Sequence, residues 1–218
     1  MLMNKPVVFG ATYSVYVRIV RLALEEKQIP YRLEEVDVFA PGGPPTAYLA
    51  RHPFGRIPAF EHDGFRLYEA GAITRYVDDA FPGPRLQPSE PKPRARMNQA
   101  ISILDSYAYR AMVWDIFVER VRAPQQRRPT DEARIRAALP VAGKCLDALQ
   151  DIMGDGPFLC GMEISLADLH AAPIFAYFTL APEGAALLGE HAGLHRWWDR
   201  IRQRPSMTAT RSPLEDAT

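Results

Sequence analysis

Three short segments carry residues that can bind or activate a small ligand. In His52-Pro53-Phe54-Gly55-Arg56-Ile57-Pro58, an apolar residue precedes a proline at the start of a strand-like run. Pro58 there is a candidate cis proline. Such a proline turns the Ile57 backbone outward and leaves its N–H and C=O free to receive an extended peptide as an added strand. The alternative is a plain loop entering an edge strand. In Tyr68-Glu69-Ala70-Gly71-Ala72-Ile73, a carboxylate and small residues stand where a strand turns into a helix. Unpaired N–H groups and the positive end of the helix dipole suit a ligand carboxylate, and small side chains admit it. Alternatively, Glu69 only complements the dipole. In Phe9-Gly10-Ala11-Thr12-Tyr13-Ser14, the first strand passes into the first helix. Ser14 offers a hydroxyl donor where the dipole favours an anion such as a thiolate, or else serves simply as an N-cap.

The elements that must position these segments follow from periodicity and from prolines. Val7-Val8-Phe9 reads as a short buried strand, and Val17, Val20 and Leu24 recur at helical spacing toward Gln28. Pro30 to Val38 reads as a second strand, and Pro41-Gly42-Gly43-Pro44-Pro45 as a loop before a short helix near Thr46 to Arg51. His62-Asp63-Gly64 between two strand-like runs signals a hairpin, and Ile73, Tyr76, Val77 and Ala80 mark a closing helix. The order is βαβ, then αββα. Prolines 82, 84, 88, 91 and 93 define a linker, assigned to residues 84–93, between domains at 1–83 and 94–218. Beyond it the β signal disappears. Helical patterns run from Pro91 to about Ala123, Asp131 to Met153, Ser165 to Leu180 and His195 to Gln203. Pro140 predicts a kink in the second of these, and Ser165-Leu166-Ala167-Asp168 resembles a capping box.

Composition excludes several classes. Lys+Arg 26 against Asp+Glu 26 gives net charge +0, which argues against a nucleic-acid or anionic-lipid binder. Hydrophobic residues at 47% and charged residues at 24% match a folded globular chain rather than a disordered one. The opening apolar run is too short for a signal peptide's core, and no apolar stretch reaches the roughly 18 residues of a membrane span. Cys145 and Cys160 lie outside metal-ligand spacings and read as reduced thiols, so the expectation is a cytoplasmic protein. His191 and His195 are spaced i, i+4 but have no evident third ligand, and no metal is expected. The arginines at 120, 122, 127, 128, 134 and 136 read as a solvated face.

Taken together, the three segments resemble the glutathione transferase superfamily, with its thioredoxin-like N-terminal domain and all-helical C-terminal domain. The resemblance runs along Val17 to Lys27, Pro53 to Phe60, Leu67 to Tyr76 and Ser165 to Asp168. It is nearest the phi class or a bacterial group similar to it. It implies an enzyme in which Ser14 donates a hydrogen bond to the sulfur of glutathione, with Tyr13 and Tyr16 as rivals for that role. It further implies that the Ile57 backbone beside Pro58 meets the cysteinyl unit, that Glu69 meets the γ-glutamyl amine and Ala70 N–H its carboxylate, and that Arg56 lies near the glycyl end. Glutathione is then a co-substrate, with no separate cofactor.

The resemblance also implies a homodimer, a detoxifying role, and a small hydrophobic electrophile as second substrate. That electrophile is expected among Tyr13, Phe39 and the first long helix, with Tyr109, Val113 and Phe117 on one helical face; core packing is the alternative for these residues. Phe54 resembles the aromatic dimer key of some classes, or else belongs to the core. Two positions depart from the family pattern. Ala70 stands where a serine is usual, and Gly43 falls near the place of a phi-class histidine. These departures motivate a second reading, a non-catalytic binding or scaffold protein. Without a cysteine before Cys145, mixed-disulfide chemistry at the strand-to-helix position is not expected, while glutathione-dependent peroxide reduction and isomerisation stay open.

Overall fold

A computed structural model describes residues 5–216. The chain divides into two compact units, one comprising the described residues up to Leu86 together with Pro205–Leu214, the other Gln87–Arg204 with Glu215 and Asp216.

In the first unit the order is β1 (Val7–Phe9), α1 (Val15–Glu26), β2 (Arg32–Glu34), a 3₁₀ turn (Thr46–Ala50), β3 (Ala59–His62), β4 (Phe65–Tyr68) and α2 (Ala70–Ala80). The strands form a mixed sheet in the order β2-β1-β3-β4. β1 and β2 are parallel, joined through α1, while β1–β3 and β3–β4 are antiparallel. Side chains alternate across the sheet, so the paired Val8 and Phe60 share one fully buried face, and the paired Phe9 and Ala59 share the other. That second face packs Val36 and Tyr48, with Ile57 at its margin.

Register sets the site. Phe9 pairs with Ala59, and Ala59 pairs with Tyr68. Gly10, Pro58 and Glu69 each lie one residue beyond that row, at the same end of the sheet, so the three segments singled out in the sequence emerge together.

The boundary of this unit differs from the proline-based reading for a physical reason. Leu86 is buried and its N–H donates to Asp78 Oδ1 at 2.8 Å. Asp78 is paired in turn with the buried Lys27 ammonium at 3.1 Å, and Lys27 also donates to the Pro84 carbonyl. The first linker residues are therefore tied down. The short helix α9 (Pro205–Ala209), which follows the apparently continuous helical half, joins the first unit through Arg18 and Arg21 of α1.

The second unit is helical: α3 (Pro91–Ile103), a wider π-helical segment (Leu104–Arg122), α4 (Ala123–Gln125), α5 (Glu132–Met153), α6 (Leu166–Phe178), α7 (Pro182–Gly189) and α8 (Ala192–Ile201). All thirteen residues of α6 are buried, the signature of a central helix apolar on every side. The fully buried Asp168 accepts from Leu159 N, Ser165 N, Ser165 Oγ and Trp197 Nε1, each at 2.8 Å. Asp131 caps α5 by accepting from Arg134 N at 3.0 Å, and Pro140 lies inside that helix.

The arginine-rich stretch is less solvated than its sequence suggests. Buried Glu119 accepts from Arg128 at 2.7 Å and Arg134 at 2.9 Å, while Arg120 bridges Glu132 and Glu183. His191 pairs with Asp147 and His195 with Asp199. Among the described residues no helix is long and apolar enough to cross a membrane, and no cluster of three or more His, Cys, Asp or Glu is placed to hold a metal.

Candidate active site

The strand-to-helix turn after β1 approaches the β3 entry closely. A Cβ on Gly10 would stand 2.4 Å from Val17 Cγ2 and 3.2 Å from Ile57 Cβ, so only glycine fits between them. Ser14 follows as the N-cap of α1. Its half-buried Oγ accepts from Val17 N–H over a long 3.4 Å. Acceptance leaves the hydroxyl proton available for donation to a ligand, at the end of α1 where the dipole favours an anion.

Tyr13, one residue earlier, donates its hydroxyl to Asp37 Oδ1 at 2.7 Å, and its ring lies 5.9 Å from that of Phe39. Burial and the bond to Asp37 push the Tyr13 phenol well above its ordinary range. Asp37 also accepts from Phe39 N–H at 2.9 Å, and these two donors hold its carboxyl below the usual value. Phe39 itself is exposed.

At the β3 entry the Ile57–Pro58 peptide is cis. The Arg56 carbonyl accepts from Tyr48 OH at 2.7 Å, which fixes the loop from below and leaves the Arg56 side chain exposed. Ile57 is half-buried and Pro58 buried.

Beyond β4, Glu69 adopts φ 71°, ψ 114°, a left-handed backbone for a non-glycine residue. That conformation costs about 1–3 kcal/mol and persists where surroundings impose it, commonly at ligand sites. Here the Glu69 carbonyl accepts from Ala72 N and Ile73 N, both at 3.0 Å. The exposed carboxylate makes no capping bond to its own helix. The first N–H groups of α2, from Ala70 and Gly71, have no carbonyl one turn earlier to bind. Ala70 is buried and brings no hydroxyl; Gly43 sits in a φ +78° turn with open space around it.

In the helical unit, Tyr109 is half-buried, whereas Val113 and Phe117 are buried at 4% and 1% exposure. Phe117 stacks on Tyr177 with ring centroids 4.5 Å apart. Phe54 is 70% exposed, which excludes the core alternative, and it sits edge-on to His52 and Tyr68. Burial pushes the His52 imidazole down, so the ring favours its neutral form. Cys145 is buried and Cys160 half-buried, and burial raises the Cys160 thiol to about 12. Neither thiol is disposed to ionise near neutrality.

Sequence reasoning did not single out Asp37, Tyr48 or the backbone of Glu69. Asp37 had a signal, since Asp-x-x hydrogen bonding to a backbone N–H two residues on is a common turn device. Tyr48 and the Glu69 backbone depend on tertiary packing and had none.

A four-stranded mixed sheet of thioredoxin-like order joined to an all-helical second unit defines the class of the fold, with a serine, a cis-proline strand entry and a glutamate among the segments at one end of the sheet. Comparison with known proteins agrees. The family models for the glutathione S-transferase N-terminal and C-terminal domains match residues 8–85 and 132–200. Glutathione S-transferase F13 of Arabidopsis thaliana is 27% identical over 200 residues, 91% of each chain. Glutathione S-transferase F6 of the same plant is 29% identical over 201 residues, covering 91% of this chain and 95% of that one. Among solved structures, glutathione transferase F7 from Populus trichocarpa superposes with a TM-score of 0.82 at 29% identity, covering 94% of this chain and 97% of the other. The chain belongs to the glutathione S-transferase family.

Proposed function

We propose that the protein conjugates glutathione to small hydrophobic electrophiles, with glutathione lying across the end of the sheet where the Phe9–Ala59–Tyr68 row terminates. That row is the observation that supports the reading, because Gly10, Pro58 and Glu69 each follow it at the same end of the sheet and lie within the segments that hold Ser14, Ile57 and Glu69. The Ile57 backbone pairs with the cysteinyl unit as a short added strand. The Glu69 carboxylate takes the γ-glutamyl ammonium, the N–H groups opening α2 take its carboxylate, and Arg56 serves the glycyl carboxylate.

The nucleophile belongs to the substrate. A free thiol has a pKa of about 8.5, so a minority is ionised at neutral pH. Donation from Ser14 and the α1 dipole stabilises the thiolate and enlarges that fraction. The sulfur lone pair then forms a C–S bond at the electrophilic carbon, and the displaced electron pair leaves with a leaving group or moves into an activated π system. The Tyr13–Phe39 edge supplies an aromatic wall for the electrophile. Val113 and Phe117 support the helical core instead, given their burial. Peroxide reduction and isomerisation would draw on the same thiolate.

Two exposed surface features with large apolar side chains support a homodimer, whereas a cytoplasmic, detoxifying role rests on the family resemblance alone. One is the Leu49, Phe54 and Tyr68 patch of the first unit, and the other is the groove of the second unit that includes exposed Tyr107 and Val141. A second reading, a binding protein without turnover, draws on Ala70, since one hydrogen bond to the γ-glutamyl carboxylate is missing. The deciding experiment is ultraviolet difference absorbance of bound thiolate during glutathione titration, with Ser14→Ala alongside. A wild-type signal that falls in the variant supports activation by Ser14. Turnover equal in both at saturating glutathione sinks it, and binding with no turnover on any electrophile favours the binding-protein reading.

A further inference from the structure

Ser14 is the N-cap that precedes α1, and its own cap bond is long. Its carbonyl is held more firmly, accepting from Arg18 N–H at 3.0 Å. The Arg18 side chain reaches the segment 205–214. It is 2% exposed, donating from Nη2 to the Met207 carbonyl at 3.0 Å and from Nε to Thr210 Oγ1 at 3.3 Å. One turn on, Arg21 is 8% exposed and donates to the Ala209 and Thr210 carbonyls at 3.2 and 3.3 Å. The Met207 and Ala209 carbonyls lie in the last turn of α9 and Thr210 just follows it, where a helix leaves carbonyls unpaired and its dipole favours a cation. Thr210 is fully buried and its hydroxyl donates back to the Ser206 carbonyl at 2.8 Å.

We propose that Arg18 is a positioning residue: it joins the Ser14 peptide to the segment 205–214, and through that join the segment fixes where the Ser14 hydroxyl stands against the bound thiol. The inference rests on the reading of Ser14 as the thiol's partner. Arg18 touches no substrate in this scheme. It matters because displacing a reacting group by about 1 Å can cost about a hundredfold in rate, and because a buried guanidinium that loses its carbonyls must move to find water or other acceptors.

The test compares wild type with Arg18→Lys, Arg18→Gln and Thr210→Val in the full chain, each alone and combined with Ser14→Ala. Thr210→Val is close in shape and removes one acceptor, so it reports even if Arg18→Gln folds poorly. Affinity is measured with S-methylglutathione, which cannot ionise, and thiolate formation by pH titration of bound glutathione. We expect affinity to hold within about threefold while kcat falls tenfold or more and the thiolate appears at higher pH. Arg18→Lys should recover part of the loss. In the Ser14→Ala background the same substitutions should add nothing further to the thiolate titration, since both would act through one hydroxyl.

Full additivity with Ser14→Ala, or variants that melt earlier while kcat and thiolate pH stay at wild-type values, would overturn the proposal and leave Arg18 a purely structural anchor. If wild-type protein binds glutathione yet forms no thiolate signal, the Ser14 reading has failed and the positioning role falls with it, a result distinct from both others.

Discussion

The Tyr13 hydroxyl donates to the Asp37 carboxylate at 2.7 Å, across 24 residues of sequence. This one bond separates two hydroxyls that lie side by side in the chain. Tyr13 directs its hydroxyl hydrogen bond to Asp37, and its phenol is pushed up, so ionisation at neutral pH is strongly disfavoured. Ser14 keeps its proton for a ligand. Tyr13→Phe is therefore expected to leave the bound-thiolate absorbance in place while raising KM for the electrophile, because the Phe39 loop loses a tether. Ser14→Ala should abolish most of the thiolate signal and lower kcat by about a hundredfold, the usual cost of removing one donor from a developing or stabilised anion. Steady-state kinetics on the two variants side by side would separate the roles, and a Tyr13→Phe protein without thiolate would reverse the assignment.

Ala70 offers a gain-of-function test. A hydrogen bond to a charged acceptor contributes about 1.5–3 kcal/mol, which corresponds to about ten- to more than a hundredfold in affinity. The Ala70→Ser variant should bind glutathione more tightly by at least the lower figure in calorimetry, with little change in the conjugation rate at saturation. Equal affinity would mean that the γ-glutamyl carboxylate does not reach the start of α2. Ala70 is 5% exposed, and serine adds only an oxygen, so the backbone should accommodate it.

Much of this arrangement was legible in the sequence because it rests on local signals. Gly10 before a helix, the Ile57-Pro58 pair at a strand entry and the Asp63-Gly64 turn each constrain the backbone within a few residues, and the structure returns the strand-to-helix turn, the cis peptide and the hairpin. What stayed hidden depends on distant partners. No pattern in Arg18 or Arg21 announces carbonyls nearly 190 residues away, so residues 205–214 read as the tail of a helical domain. The arginines at 120, 128 and 134 looked solvated because their carboxylate partners, among them the buried Glu119, come from other helices or other turns. Tyr109, Val113 and Phe117 satisfied an i, i+4 pattern that a pocket wall and a core share equally; burial sets Val113 and Phe117 apart from half-buried Tyr109, and Phe117 stacks on Tyr177.

The exposed aromatic patch yields a third prediction. Phe54 at 70% exposure, beside Tyr68 and Leu49, is apolar surface of the kind that marks an interface. Phe54→Arg should convert a dimer to a monomer in light scattering while the isolated chain keeps its helical circular dichroism. A dimer that persists unchanged in the variant would place the interface elsewhere.

Asp168 yields a fourth. It is fully buried and satisfies four donors, including the Trp197 indole and the Ser165 hydroxyl. Replacing it with asparagine turns one acceptor oxygen into a donor facing other donors. Hydrogen bonds to charged groups contribute about 1.5–3 kcal/mol each, so Asp168→Asn should destabilise the protein by about 3 kcal/mol or more in urea titration. The intact-chain affinity for glutathione, measured where the variant remains folded, should be little altered because the proposed glutathione site lies in the other unit.

Acid offers a final test of the Tyr13–Asp37 bond, and its sign follows from linkage. The Tyr13 hydroxyl and the Phe39 N–H hold the folded Asp37 carboxyl below its ordinary value, so the unfolded chain binds that proton more readily. The resulting contribution to stability is fully present above the unfolded value of about 3.9 and is lost as pH falls through the lower folded value. In Tyr13→Phe the larger of the two causes is gone, the folded and unfolded values draw together, and the contribution shrinks. Melting temperatures recorded from pH 6 down to the acid limit of folding should therefore fall less steeply for Tyr13→Phe than for wild type, with the two curves converging at the lowest pH. Because the carboxylate is exposed, high salt should weaken the difference. Parallel curves over the whole range would show that the hydroxyl does not hold Asp37 in solution, and would return Tyr13 to contention with Ser14 for the thiol.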